Sequence, residues 1–190
     1  MDATILLSTA LAYLLGSIPN GVLAARLFGW PDPRTHGSGH TGGLNSLRGG
    51  GLLAGILVTA LDVGKGALAI WLTHRLGPEP PVLGMALAGA AVVAGHNWPV
   101  STGFKGGMGL ATSGGAMLTH AVVPLFIAAA AWGLLLRVIR HKARAVMAAA
   151  LTVPLSLWLL RADVETFWLG AAVTAVVLVR HLADWNRVYD

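Results

Sequence analysis

The sequence predicts an all-α integral membrane protein: one multi-pass domain over residues 1–190, folded as a seven-transmembrane helix bundle. One span is short, the N-terminus lies outside and the C-terminus is cytoplasmic. Three observations carry this expectation. Of the residues, 55% are apolar and only 11% charged, where an ordinary soluble domain carries about 25% charged. The apolar residues fall into runs long enough to cross a hydrocarbon core, which takes roughly 20 residues per helix. The connections between alternate runs hold nearly all of the Lys and Arg. Seven spans would use about 140 residues and leave about 50 for loops, so no separate soluble domain fits.

The runs lie at 4–28, 50–73, 81–98, 121–139, 144–160 and 166–180. The first begins Met1-Asp2 without the positive region of a secretory leader, and reads as a retained span. Pro19 should kink it, and Pro124 and Pro154 fall inside later runs. Residues 109–118 are too short and glycine-rich for an ordinary crossing, and either continue into 121–139 or cross separately. Charge favours the second. A separate crossing puts Arg26, Arg34, Arg48, Lys105, Arg137, Arg140, Lys142, Arg144, Arg180 and Arg187 on one side, against Arg75 and Arg161 on the other, with Lys65 inside a span. Merging the two segments would carry the dense Arg137–Arg144 cluster to the wrong face. So short a crossing must be buried among helices or line a wet cavity, because lipid cannot satisfy exposed backbone groups. Its small residues would let neighbouring helices approach closely.

The formal net charge is +5, but the basic residues sit in short loops rather than on one stripe, so nucleic acid is not the expected partner. The cysteine count is zero, which excludes disulfides, thiolate metal sites and cysteine nucleophiles. The seven histidines show no metal-ligand spacing, and neither metal nor cofactor is expected.

Two loops look built for anions. The first runs from Arg34 through His36-Gly37-Ser38-Gly39-His40 to Asn45 and Arg48, followed by three glycines. Its glycines allow successive N–H groups to form a concave nest, Ser38 adds a hydroxyl, and Arg48 offers a planar fork of donors. A flexible connector is the bland alternative. Gly37-Ser38-Gly39 with Gly42 also satisfies a dinucleotide-binding spacing, but no βαβ unit surrounds it. The second loop, His96 to Thr112, sets Lys105 beside Gly106, Gly107 and Gly109 ahead of a helical segment, where free N–H groups suit an anion. Trp98 reads as an interfacial anchor. Asp62 and Lys65, one turn apart inside a span, are expected to pair and hold the bundle, with a supporting role at a site as the alternative. His181, just ahead of Asp184 and Arg187, is the histidine that reads as a site candidate.

These motifs resemble those of the bacterial acyl-phosphate-dependent glycerol-3-phosphate acyltransferases, the PlsY family, over most of the chain. The resemblance rests on Gly16-Ser17-Ile18-Pro19, Gly37-Ser38-Gly39 with Gly42, Asn45 and Leu47-Arg48, Asp62-Val63 and Lys65-Gly66. It continues through Gly95-His96, Pro99-Val100, Phe104-Lys105-Gly106-Gly107, Gly109 with Ala111-Thr112, and His181 with Arg187. It implies a cytoplasmic-membrane enzyme that moves a fatty acyl group from acyl phosphate to the 1-hydroxyl of glycerol 3-phosphate, giving lysophosphatidic acid and phosphate. Ser38, Arg48 and His181 would be catalytic. Gly37, Gly39, Asn45, Lys105, Gly106, Gly107 and Gly109 would bind substrate phosphate, with Lys65, Asp62, His96 and Asp184 in support. Membrane lipids would surround a monomer.

The chain is a divergent member by this likeness. His40 stands where the family has asparagine, Gly43-Leu44 replaces Ala-Thr, and Met108 replaces the second lysine of its K-G-G-K-G run. Asp184 takes the place of the closing asparagine, and the segment Arg140–Ala145 lacks an expected serine. No Ser-His-Asp triad is apparent within any one motif, so direct transfer is expected rather than an acyl-enzyme. A small-anion membrane transporter is the rival reading, although no two related halves are visible. A catalytically impaired homologue that binds lipid phosphate is a third.

Overall fold

A computed structural model describes residues 3–76 and 82–187, and every regular element among them is helical. The expected first span is two helices, α1 (Ala3–Gly16) and α2 (Asn20–Phe28), bent by 42°. Pro19 causes the break: it cannot donate to the ladder and its ring opposes continuation. α2 ends on Gly29, whose left-handed backbone closes the last turn through Trp30 N–H to Ala25 O at 2.9 Å.

α3 (Gly43–Leu76) begins earlier than the apolar run suggested and is interrupted at Gly51, which has φ +80°. Asn45 and Arg48 therefore stand on its opening turns, not on a loop. The glycines that made 43–51 read as a connector instead serve close packing and one break. The third run appears as α4 (Val82–Asn97), with residue 81 outside the described residues.

The short segment is a helix of its own, α5 (Leu110–Met117), separated from α6 (Val122–Ile139) by a tight turn at Thr119 and His120. α5 runs antiparallel to α3 at close range: a Cβ on Gly66 would strike the carbonyl of Thr112, and one on Gly115 the carbonyl of Val63. α7 (Lys142–Ala150) and α8 (Thr152–Leu159) make one nearly continuous span, and α9 (Val164–Leu182) closes the bundle behind Asp163, whose carboxylate caps Thr166 N–H at 2.8 Å.

Among the described residues, four segments are long and apolar enough to cross a membrane: α3, α6, α7 with α8, and α9; the bent α1–α2 pair would make five. α4 has 16 residues and α5 only eight, so these two cross by virtue of their neighbours if they cross at all. The core is formed by Ala12, Ile70, Met85, Val92, Val93, Met117, Leu169 and Val173. Large apolar side chains also cover the outside, among them Leu52, Phe126, Leu134, Val138 and Trp158. Such a surface belongs in lipid; a water-soluble monomer rarely exposes apolar patches beyond a few hundred Å².

Candidate active site

One end of the bundle gathers three stretches distant in sequence: the first glycine loop with the start of α3, the second glycine loop, and the end of α9 with its following turn. Their polar groups interlock. Asn45 sits at the centre. Its Nδ2 donates to Ser38 Oγ at 3.0 Å and to the carbonyl of His40 at 2.9 Å, and its Oδ1 accepts from Arg48 Nη1 at 3.1 Å. His40 Nδ1 lies 2.8 Å from Ser38 Oγ. Arg187, from the far terminus, donates to the backbone carbonyl of Ser38 at 3.4 Å. Gly37 is required at this junction. Its backbone is left-handed at φ +51°, and a Cβ there would collide with the Arg48 guanidinium and with Asn45.

The second loop is held from both sides. His96 Nδ1 lies 3.5 Å from Asp62 Oδ1, which also accepts from Asn20 Nδ2 at 3.0 Å and pairs with Lys65 at 3.0 Å. The imidazole of His96 occupies the space that a Cβ on Gly107 would need. Arg180 then donates to Gly107 O at 2.9 Å, tying the loop to α9.

The sequence-predicted residues therefore divide. Ser38, Asn45 and Arg48 form one connected group, with Gly37 and Gly39 beneath it at positive φ. His181 lies on the last turn of α9, buried, its Nδ1 directed at Val177 O at 2.8 Å. A carbonyl can only accept, so Nδ1 carries the proton and Nε2 is left as an acceptor. Asp184 is buried on the following turn, 3.9 Å from His40 Nε2 and 3.8 Å from Arg187 Nη1. Lys105 stands apart from this group as an exposed side chain, and its carbonyl receives Thr102 Oγ1 at 2.9 Å.

The N–H nest is smaller than the sequence suggested. Gly107 N–H donates to His96 O at 3.0 Å, and Gly39 N–H to His36 O at 3.0 Å, so neither remains for an anion. Gly106 and Gly107 are glycines because His96 and Pro99 leave no room for a side chain. The first-turn N–H groups of α5, above Gly109 at φ +83°, have no partner within their own helix. Asp62 and Lys65 pair as expected, and Lys65 has further work: its Nζ donates to Gly16 O and Ile18 O, both at 2.9 Å. These carbonyls lie just ahead of Pro19, where α1 ends.

Three contributors escaped sequence reasoning. Arg180 read as a charge for membrane orientation, and its neighbour His181 was the available signal. Asn20 gave no signal beyond its place after Pro19. His40 read only as a departure from a pattern. Its pKa is lowered to about 4, chiefly because burial penalises the cation; Arg180, Arg187 and His181 add to this, and Asp184 opposes it.

An apolar cavity of about 430 Å³ runs along α5 from Leu110 to Met117, bordered by Val122 of α6 and Val177 of α9. Gly114, Leu125, Trp132 and Val153 also line it. Two of its lining residues adjoin the polar end along the chain: Leu110 follows Gly109, and Val177 lies one turn before His181 on α9.

A family model described as glycerol-3-phosphate acyltransferase matches residues 6–190. A protein of that name from Jannaschia sp. (strain CCS1) is 41% identical over 182 residues, covering 96% of this chain and 88% of the relative. One from Symbiobacterium thermophilum is 41% identical over 178 residues, covering 94% and 87%. Among solved structures, the glycerol 3-phosphate form of PlsY (YgiH), an integral membrane glycerol 3-phosphate acyltransferase, superposes with a TM-score of 0.81 at 30% identity, covering 97% of this chain and 92% of that one. Its lysophosphatidic acid form gives a TM-score of 0.80 at 28% identity, covering 97% and 91%.

Proposed function

The chain belongs to the glycerol-3-phosphate acyltransferase family, and from that premise we propose how one end of its bundle carries out the transfer. The protein is a multi-pass enzyme of the bacterial cytoplasmic membrane that acylates glycerol 3-phosphate to lysophosphatidic acid. In this reading the donor is acyl phosphate, the 1-hydroxyl is the acceptor position, and every group needed comes from a single chain without a metal. The chain crosses the membrane seven times, counting α4 and α5, and the polar end faces the cytoplasm, the side that collects Lys and Arg.

The observation that carries the reading is the junction of two unlike environments. The Ser38–Asn45–Arg48 network gathers with the second loop and the end of α9 at one end of the bundle, and the apolar cavity starts at the residues next to them along the chain, Leu110 and Val177. A molecule with a phosphate head and a fatty tail fits both at once, with its tail along α5 and its head among the cations. Arg48 uses one nitrogen to orient Asn45 and keeps the rest of its fork for a phosphate. Lys105 and the first turn of α5 serve the second phosphate.

Acyl phosphate already carries a good leaving group. The protein has mainly to align hydroxyl with carbonyl and to stabilise charge that grows on the carbonyl oxygen and the departing phosphate. The hydroxyl oxygen bonds to the acyl carbon as the bond from that carbon to the phosphate oxygen breaks, the hydroxyl gives up its proton, and inorganic phosphate leaves carrying that proton. His181, with Nδ1–H fixed on Val177 O, presents Nε2 as an acceptor on the same side.

The deciding experiment follows phosphate released from palmitoyl phosphate by the purified protein. Release should depend on glycerol 3-phosphate and match lysophosphatidic acid formed. Turnover indifferent to that acceptor would overturn the assignment.

A further inference from the structure

Two residues that depart from the family pattern, His40 and Asp184, face each other across 144 residues of chain, His40 Nε2 lying 3.9 Å from Asp184 Oδ2. Both are buried, at 8% and 3% exposure, with His40 directly behind Ser38 and Asp184 behind His40. The hydrogen bonds around them fix the orientation of the Asn45 amide. Arg48 can only donate, so Asn45 must turn its oxygen toward Arg48 and its amide nitrogen toward Ser38. The carbonyl of His40 can only accept, which fixes the same orientation independently. Ser38 Oγ thus already accepts one bond from Asn45. The Asp184 carboxylate facing His40 Nε2 at 3.9 Å favours a hydrogen on that nitrogen, which leaves Nδ1 to accept the Ser38 proton at 2.8 Å.

We infer that His40, with Asp184 behind it, is a positioning residue that fixes Ser38 as a hydrogen-bond acceptor toward the substrate hydroxyl. A hydroxyl has one proton and two lone pairs. With the proton turned back to His40 and one lone pair held by Asn45, the remaining lone pair is what Ser38 offers to the site. The 1-hydroxyl of glycerol 3-phosphate, donating to that lone pair, is held with its oxygen free for attack. The arrangement needs a neutral imidazole. Burial and the cations Arg180 and Arg187 keep it so, with His181 adding to them against the opposing charge of Asp184, and the placement of that carboxylate beside Nε2 favours the tautomer with hydrogen there. An asparagine at position 40 would not impose this direction, because its amide can present either a donor or an acceptor. The inference rests on Ser38 being part of the acyl-transfer site proposed above.

The test combines kinetics with a direct reading of the imidazole. His40→Asn is expected to lower kcat about tenfold, the worth of one oriented hydrogen bond, with KM for glycerol 3-phosphate within about twofold. Asp184→Asn should act in the same direction. The double variant should cost no more than the more damaging single one, because the two residues act as a unit. Nitrogen-15 spectra of the intact protein in nanodiscs, with the His40 resonances assigned by their loss in His40→Asn, should show the Nε2–H tautomer and no imidazolium between pH 5 and 8. An unchanged kcat in His40→Asn, losses that multiply in the double variant, or an Nδ1–H or charged His40 at pH 7 would each overturn the inference. Wild-type protein that forms no lysophosphatidic acid at all sinks the parent reading instead, so the two failures are told apart.

Discussion

Asn45 shows how much one side chain can decide. Its amide satisfies Ser38, His40 and Arg48 together, so three groups from different parts of the loop and of α3 share a single orientation. Arg48 is at once a partner in that network and its most outward cation. Arg48→Ala is expected to lower kcat about 100-fold or more, comparable to removing one preorganised donor from a developing anion, while the thermal midpoint in detergent shifts little. Near-normal turnover would remove Arg48 from the site. Ser38, Asn45 and Arg48 were legible because their residue types suit phosphate wherever they are placed. Gly106 and Gly107 were legible only as glycines. Whether a glycine opens an N–H nest or makes room for a ring depends on the neighbour, and the neighbour here, His96, approaches through tertiary packing.

At the scale of elements, the break at Pro19 and the buried pair on α3 are one construction. Ending α1 at Gly16 frees carbonyls inside the bundle, and Lys65 reaches across from α3 to receive two of them while pairing with Asp62. The sequence suggested the ion pair but not the carbonyls, since nothing local to Lys65 reveals which helix will end beside it. Lys65→Met should destabilise the fold by about 3–5 kcal/mol by leaving the buried Asp62 without its lysine and Gly16 O and Ile18 O without their donor. Unfolding in denaturant would show this, and Asp62→Asn in the same background should restore part of the loss. The start of α3 was misplaced for a related reason. A run of glycines is a poor helix former in isolation, with each costing about 1 kcal/mol against alanine. In the protein, Gly43, Gly50 and Gly55 are where Thr59, Ala54 and Leu47 pack too closely for any Cβ.

For the molecule as a whole, hydropathy announced a membrane protein, yet length alone did not yield the number of crossings. α4 and α5 are shorter than the layer they would traverse, and their burial comes from α1, α3 and α9 rather than from their own composition. The absence of cysteine from the chain gives a clean background for single-cysteine labelling. Cysteines at Thr35 and Lys142 should be modified from the cytoplasmic side and one at Ala162 from the outside. Labelling of all three from one side would refute the seven-span arrangement. The cavity gives a second test at this scale. Gly114 lines it, and a side chain there would meet open space, so Gly114→Leu should fold normally and shorten the acyl chain the enzyme prefers. An unchanged chain-length profile would place the tail elsewhere.

The eight residues of α5 carry a geometric consequence. At 1.5 Å per residue the helix is about 12 Å long, well under the roughly 30 Å of a hydrocarbon core. In the seven-span reading proposed above, its two ends cannot both reach water at the level of the headgroups, so at least one mouth is sunk below them. A sunken mouth at Gly109 lowers the floor on which a sugar phosphate from the cell meets a fatty chain that never leaves the lipid. The brevity of this helix thereby sets the depth at which an aqueous and an oily reactant can touch.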